Sequence, residues 1–395
     1  MILQTLAFLK EYKIVFFVPR HVISEDFDEE EIAAKLGVFK VVALPSPNAT
    51  DSFFNFFFRR LSFQESMFYK KSSESIIQSE IKIFNPSVAI FDMLRMGTYA
   101  ESFSQVVKVL EIDDMLSLRY RRMLSHSYPG FDLLGTYSKY YPKVMSKIVN
   151  KFLVKPLLWI ESKKIFSSEL KAAKRFDFVN FVSADEADTY RDLIEGVEVF
   201  SIPPTVSVKK INRNIGESGS GVKVFGFIGN LRTNQNLLSF NLIVNDVLPN
   251  LEGDYRFVVI GGYDDRAVEL SSENNRVVLK GFVDEFDDEM MDIQLLLAPI
   301  AFGTGIKLKI LDAMSYGVPV LTNSIGIEGI LGEPGKHYFV EDNYLDVAKK
   351  ANELFRSPGL MEKVGRAGQE LVKEFYSPEL NEKKYIGYLG RNHGA

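Results

Sequence analysis

Short, almost unbroken apolar runs alternate with helix-patterned stretches along the whole chain, which leaves few folds open to it. In the first half the runs are Ile14–Val18, closed by Pro19, then Val41–Leu44, Val88–Phe91, Val106–Leu110 and Val179–Val182. A strand that is apolar at successive positions must be buried on both faces. That is the pattern of parallel strands covered by helices, not of half-exposed antiparallel ones. Met1–Lys10 reads instead as a helix, with Leu3, Leu6, Ala7 and Leu9 at helical spacing.

After Phe200-Ser201-Ile202 and the pair Pro203-Pro204, a polar stretch rich in Gly and Ser runs from Asn212 to Gly221, near the middle of the chain. It is the best candidate for a linker. Beyond it the rhythm restarts, with expected strands at Val222–Ile228, Arg256–Ile260, Val277–Leu279, Gln294–Ala298, Val318–Thr322 and His337–Val340. Helical patterns fall near 236–249, 285–292, 306–316, 343–356 and 359–374. A chain of 395 residues exceeds the usual size of one core, so two domains are expected. We place them at 1–205 and 222–375, joined by a linker at 206–221. A C-terminal segment, 376–395, is expected to return to the first domain.

Composition removes several classes of function. The net charge of −5 gives no overall support for a nucleic-acid binder. The chain has 0 cysteines, which excludes disulfides, Cys-ligated zinc, iron–sulfur clusters and thiol catalysis, and fits a reducing, cytoplasmic setting. His21, His126, His337 and His393 are scattered without metal-ligand spacing, so no metal is expected. No run of about 18 apolar residues occurs, so no spanning helix is expected.

The densest chemistry lies between Pro299 and Pro319. Gly303 and Gly305 follow an expected strand and precede a helix, where an open parallel sheet meets its ligand. Glycine lets the backbone approach a phosphate, and the N–H groups of Gly305, Ile306 and Lys307 would point at it with the helix dipole behind them. Lys307 adds a point charge, and Asp312, two turns on, suits a ribose or sugar diol. A plain strand-to-helix turn would explain the glycines alone. The added Lys307 and the following Gly317-Val318-Pro319-Val320 favour the ligand reading. A second glycine turn, Gly229-Asn230-Leu231-Arg232, ends the first strand of the second half, where Arg232 would clamp a diphosphate. Taken alone, it fits a capped turn with a solvated arginine equally well.

In order and spacing, five motifs resemble the donor domain of retaining GT-B glycosyltransferases of the family 4 type. They are F-I-G-N-L-R-T-N-Q-N from Phe227, V-I-G-G from Val259, G-F-V-D from Gly281, the long stretch from Ala298 to Thr322, and I-G-I-E-G from Ile325. The resemblance implies two doubly wound Rossmann-like domains facing across a cleft, and a nucleotide-diphosphate sugar as substrate, with no cofactor. It places Gly229, Asn230 and Arg232 at the diphosphate and Gly281, Phe282 and Val283 near the base. Gly303, Thr304, Gly305, Ile306 and Lys307 would hold the phosphates and sugar, Asp312 the ribose, and Glu328 the donor. Two departures stand out. Thr304 occupies the position of the first carboxylate of the family's E-x7-E pair. Asn236 stands about where a lysine is common, so Lys307 or Lys309 is expected to compensate. By the same resemblance Met1–Lys10 matches the helix after the family's first strand and glycine-rich loop, so that strand and loop are expected to be absent.

The first half resembles the family's acceptor domain more loosely. Glu111 and Asp114 sit in an acidic loop after a strand and would orient or deprotonate an acceptor hydroxyl, although acids favoured at a helix N-terminus explain them equally. Residues 119–155 carry a basic excess, with Lys143, Lys147, Lys151 and Lys155 every four residues. A peripheral contact with an anionic membrane through 139–155, presenting a lipid-linked acceptor, is weighed there against an ordinary solvated helix face. Asp26-Phe27-Asp28 spells D-x-D but reads as a solvated acidic loop, and Tyr137, Tyr140 and Tyr141 read as packing residues. The expected activity is transfer of a sugar from a nucleotide diphosphate to a glycan or lipid-linked acceptor in cell-surface polysaccharide synthesis. A nucleotide-sugar 2-epimerase and a non-catalytic transferase-like subunit remain the alternatives.

Overall fold

A computed structural model describes residues 12–23, 28–125, 154–172, 174–209 and 221–390. Met1–Lys10, Asp26, Phe27, the tyrosines at 137, 140 and 141, and all of the basic stretch 139–155 except its last two residues lie outside the described residues. The chain divides into two compact units. The first contains residues up to Leu124, Lys155–Pro203 and the chain from Glu382; the second contains Pro204–Asn381.

In the first unit, β1 (Val15–Pro19) and β2 (Lys40–Leu44) form a parallel pair. The strands β3 (Val88–Asp92), β4 (Val107–Ile112), β5 (Phe178–Phe181) and β6 (Glu198–Ser201) form a separate four-stranded parallel sheet in sequence order. All six fall on the apolar runs or, for β6, on the run before Pro203. Helices cross between them, as parallel strands require. Asp28 is the N-cap of helix Glu29–Leu36 and accepts from the N–H groups of Glu30 and Glu31, so the acid of the D-x-D within the described chain is spent on capping. β1 is only half-buried over Val15–Val18, although its sequence is apolar throughout. A cavity of about 600 Å³ accounts for this: all five residues of β1 and all five of β3 line it, with Ile77, Ile81 and Phe84 of helix Lys71–Phe84.

The second unit carries β7 (Lys223–Ile228), β8 (Tyr255–Ile260), β9 (Val277–Gly281), β10 (Leu295–Ala298), β11 (Val320–Thr322) and β12 (Phe339–Val340). They make one parallel sheet in the order β12-β11-β10-β7-β8-β9. Counted within the unit this is 3-2-1-4-5-6, the doubly wound order of a dinucleotide-binding fold. Alternate side chains enter two cores. Phe225, Phe227, Leu295 and Leu297 pack under helices Asn234–Leu242 and Tyr344–Phe355. Val224, Leu296 and Ala298 pack under helices Leu308–Ser315 and Pro358–Phe375. Among the described residues, no helix is long and apolar enough to cross a membrane.

Two boundaries differ from the sequence expectation. Val206 donates its N–H to the Tyr376 carbonyl at 2.8 Å and Lys209 to that of Ser315 at 3.1 Å, so 206–209 belong to the second unit rather than to a free linker. These backbone bonds leave no local trace in sequence. The C-terminal helix Pro378–Gly390 also contributes to both units. Asn381 bonds Thr205 of the second, and Tyr385 bonds Glu111 of the first.

Candidate donor site

β7 and β10 are neighbours at the centre of the second sheet, and the strand order reverses between them. Loops leaving adjacent strands at such a point diverge to opposite faces and leave a crevice at the strand C-termini. The turn Gly229–Thr233 follows β7 and the loop Pro299–Lys307 follows β10, so both glycine motifs meet at this place.

The first turn is held by its own polar groups. Gly229 donates to the Ile260 carbonyl at 2.9 Å and Leu231 to that of Gly262 at 2.7 Å. The Asn236 amide donates to the Asn230 carbonyl at 3.1 Å. Any side chain at Gly229 would meet Asn236 at 2.9 Å, which fixes glycine there. Arg232 is exposed, with its Nε bonded to the Tyr263 carbonyl at 3.1 Å and its guanidinium 6.0 Å from the centre of the Phe282 ring. Phe282 is 75% exposed, an open aromatic face beside a cation, while Val283 is half-buried.

The second loop is pinned by residues that sequence reasoning missed. Ile300 donates to Asn323 Oδ1 at 3.0 Å, and Asn323 returns a bond to the Ile300 carbonyl at 2.8 Å. Ala301 donates to the Ser239 hydroxyl at 3.1 Å, and the Thr322 hydroxyl donates to the Ala298 carbonyl at 2.6 Å. A polar Thr-Asn pair ending an apolar strand beside the glycine loop was the available signal for Asn323. Ser239, inside a helix, offered none. Thr304 is buried at 6% exposure, and Gly305 has a left-handed φ of 65°. Glycine at 303 leaves room for Gln235, whose Nε2 would lie 2.6 Å from an added Cβ. The helix begins at Leu308, two residues later than expected, with Lys307 as its N-cap, whose side chain does not cap the helix N–H groups. Gly305 and Ile306 therefore belong to the loop.

Two lysines converge on this loop pair. Lys307 is buried at 6% exposure and donates to the Gly305 carbonyl at 2.6 Å. Lys309 donates to Asn236 Oδ1 at 2.6 Å, which brings its ammonium against the residue standing about where the family commonly has a lysine. Burial, with the charge of Lys307 second, lowers the Lys309 pKa to about 7. Asp312 faces the other way in charge: burial raises its pKa to about 6, and its carboxylate takes no hydrogen bond among the described residues. Glu328 is half-buried in the turn after β11. That turn requires Gly326, because a Cβ there would fall 1.9 Å from the Thr322 hydroxyl.

The first-unit acids are not presented to an acceptor. Glu111 is 1% exposed and accepts from the Asn180 amide at 2.5 Å and the Tyr385 hydroxyl at 3.1 Å. Asp114 is 2% exposed and paired with Arg119 at 2.6 Å. Both anchor the interior of the first unit; an acid just after a strand looks like a loop residue in sequence, whereas here tertiary contacts cover it. Among the described residues no group of three His, Asp or Glu side chains is placed to hold a metal.

Residues 222–357 match the family described as glycosyl transferases group 1. The chain carries a group 1 glycosyltransferase domain. A search of curated proteins finds no match. Solved structures resemble the whole chain in fold. The chain is 15% identical to S. aureus TarM bound to fondaparinux, alpha-GlcNAc-glycerol and UDP, with a TM-score of 0.57, covering 80% of this chain and 58% of that one. Sucrose-phosphate synthase from Thermosynechococcus elongatus is 12% identical at a TM-score of 0.70, covering 99% of this chain and 91% of its own. Anabaena HepE bound to UDP is 11% identical at 0.65, covering 98% and 95%. At these identities the likeness is one of fold, and the transferase domain sits on a GT-B scaffold of two Rossmann-like units. The chain spans 58% of the length of TarM.

Gly261 links this scaffold to the site. Its φ is 133°, and a Cβ there would lie 2.4 Å from the Gly229 carbonyl oxygen. Gly261→Ala is expected to cost about 2–4 kcal/mol of second-unit stability, because both the backbone and the neighbouring turn must shift. Thermal melting checks this; an unchanged melting temperature would contradict the packing described.

Proposed function

We propose that the group 1 domain binds a nucleotide-diphosphate sugar and that the chain transfers the sugar, with retention, to a glycan or lipid-linked acceptor in cell-surface polysaccharide synthesis. The observation that carries the reading is the meeting of two glycine loops with Lys307 and Lys309 at the switch point of this domain, with Asp312 further along the helix that Lys307 caps. UDP in the structures of TarM and HepE supports a uridine diphosphate donor as the first to test.

In this proposal the diphosphate lies against the Gly229 and Gly305 backbones, with Arg232, Lys307 and Lys309 around it. Asp312 accepts from the ribose hydroxyls, Phe282 and Val283 flank the base, and Glu328 contacts the donor. Thr304 offers a hydroxyl where a carboxylate is common. The bond from the anomeric carbon to the phosphate oxygen breaks as the acceptor oxygen bonds to the same face of that carbon. The acceptor proton passes to the departing phosphate, so no side-chain base is needed. The cations stabilise the charge that grows on the diphosphate, the term that dominates such catalysis. A metal is then unnecessary, and chelators are expected to leave turnover unchanged.

A thermal-shift panel of nucleoside diphosphates and their sugars tests the proposal. A donor at about 100 times its Kd adds about 2.7 kcal/mol of stability, a clear rise in melting temperature. Stabilisation by none of them would undo the reading. Incubation of the donor alone, followed by NMR of the sugar, separates transfer from 2-epimerisation.

The Lys309 pKa of about 7 adds a pH signature. An anion favours the ammonium, so binding raises this pKa and takes up a proton. Affinity for the diphosphate is expected to fall with rising pH between 7 and 9, by up to about tenfold per unit. Lys309→Met should bind more weakly and flatten the dependence. A wild-type affinity independent of pH over that range would remove Lys309 from the phosphate site.

A further inference from the structure

Helix Ala49–Phe57 is built inside out. Its buried positions are polar: Ser52 is 8% and Asn55 4% exposed, and the Asn55 amide donates to the carbonyls of Ser66 and Tyr69 at 3.3 and 2.8 Å. Its outer positions are aromatic. Phe53 is 58%, Phe54 52%, Phe57 59% and the following Phe58 69% exposed. They pair along the helix, Phe53 with Phe57 at 4.6 Å and Phe54 with Phe58 at 5.0 Å between ring centres. Helix Val154–Ala172 packs alongside, since Lys164 donates to the Phe56 and Leu61 carbonyls at 2.6 and 3.0 Å. It adds an exposed Trp159 and Ile160.

Among the described residues of these segments, the exposed charges not paired with an opposite charge are basic. Arg59, Arg60 and Lys163 are exposed. The acids of the same segments are turned inward or paired: Glu65 is 1%, Glu161 4% and Glu169 2% exposed, and Asp51 pairs with Lys70 at 3.3 Å. Clustered Phe and Trp with basic residues beside them match the interface of an anionic bilayer, where rings enter the headgroup boundary and cations meet lipid phosphates. A protein partner of ordinary composition would leave the basic rim uncompensated.

We propose that the aromatic face of helix Ala49–Phe57, together with Trp159 and the basic residues beside it, seats the first unit on an anionic lipid surface. The inference does not rest on the transfer reading; either can fail while the other stands.

Trp159 makes the test direct, because it is the 1 tryptophan in the chain. The full chain is mixed with phosphatidylcholine vesicles, alone or with roughly one-third phosphatidylglycerol, at low and high salt. The expected result is salt-sensitive flotation with the anionic vesicles only, with the Trp159 emission moving to the blue. Phe53→Ser with Phe57→Ser should abolish the shift. Arg60→Glu with Lys163→Glu leaves the aromatic face intact and should weaken partitioning at least about tenfold. Melting curves confirm that the variants fold, and if the Phe pair does not, the charge pair carries the test. No flotation overturns the proposal. Flotation without a Trp159 shift, or unchanged in the charge variant, overturns it in favour of another contact surface. Self-association lost in the Phe variant, without vesicle binding by the wild type, overturns it in favour of a protein interface.

Discussion

Lys307→Ala is expected to lower turnover by about 10²–10³-fold, the loss seen when one preorganised charge-stabilising group is removed from a water-poor site. The side chain is 6% exposed at the start of helix Leu308–Ser315, and its ammonium is held at the Gly305 carbonyl in the loop between β10 and that helix. A buried ammonium beside the glycine loop at the strand C-termini is placed where an anion would meet it. In the proposed reaction that anion is the departing diphosphate, whose charge grows as the sugar leaves. The lysine then acts more strongly in the transition state than in the bound donor, and kcat should fall further than donor affinity. Lys307→Arg keeps the charge but not the ammonium's size and should recover only part of the rate. Turnover near wild type in Lys307→Ala, with the fold intact, would refute the assignment.

How far the chain could be read in advance depended on which residues act locally. The strands were legible because parallel strands buried on both faces leave unbroken apolar runs, and every expected strand of the second half corresponds to one of β7–β12. The glycine loops were legible for a similar reason: backbone that approaches a ligand or another turn excludes side chains, as at Gly229 and Gly326. The supports of those loops were not. Ser239 and Asn323 act at a distance in sequence, on the Ala301 and Ile300 backbone; nothing local marks Ser239, and only the polar Thr322-Asn323 pair at a strand end hints at Asn323. The pairing of Lys309 with Asn236 was half legible, since the need for a compensating lysine was clear but not which one would reach. The acids of the first unit misled outright. In sequence Glu111 and Asp114 follow an apolar run, as surface residues often do, yet Glu111 lies within β4 and is closed off by Asn180 and Tyr385 from distant parts of the chain, and Asp114 is paired with Arg119 one turn on.

That burial has a large consequence: the first unit should lose stability as pH rises from about 4.5 to about 7, the reverse of ordinary acid unfolding. Desolvation raises Glu111, Glu161 and Glu169 from 4.5 to about 7 each. It also raises Asp92 and Asp113. For an acid whose folded pKa is raised, the folded state keeps a proton that the unfolded chain releases through this window. Protons bound in the unfolded state are then fewer, and stability falls with pH until the folded group also ionises. A shift of this size corresponds to roughly 3 kcal/mol per carboxyl group, and repacking or water entry would reduce that. In the second unit Asp264 and Asp287 act oppositely, the first lowered by Arg266 against its partial desolvation and the second by Tyr316 with Lys209, while Asp312, raised by burial to about 6, acts as the first-unit acids do. The contribution of Asp264 and Asp287 is lost as pH falls below 3.8, where those acids protonate. Glu111→Gln isolates the effect, since one oxygen can still accept from Asn180 and Tyr385 while the charge is gone. At pH 5 the variant should be within about 1 kcal/mol of wild type, whereas at pH 8 it should be more stable by about 1–3 kcal/mol. Hydrogen exchange of the β4 amides at the two pH values, corrected for intrinsic exchange rates, reads this for the first unit alone. Protection in the wild type that is greater at pH 8 than at pH 5 would show that the buried carboxyls are ionised in the fold and would overturn the prediction.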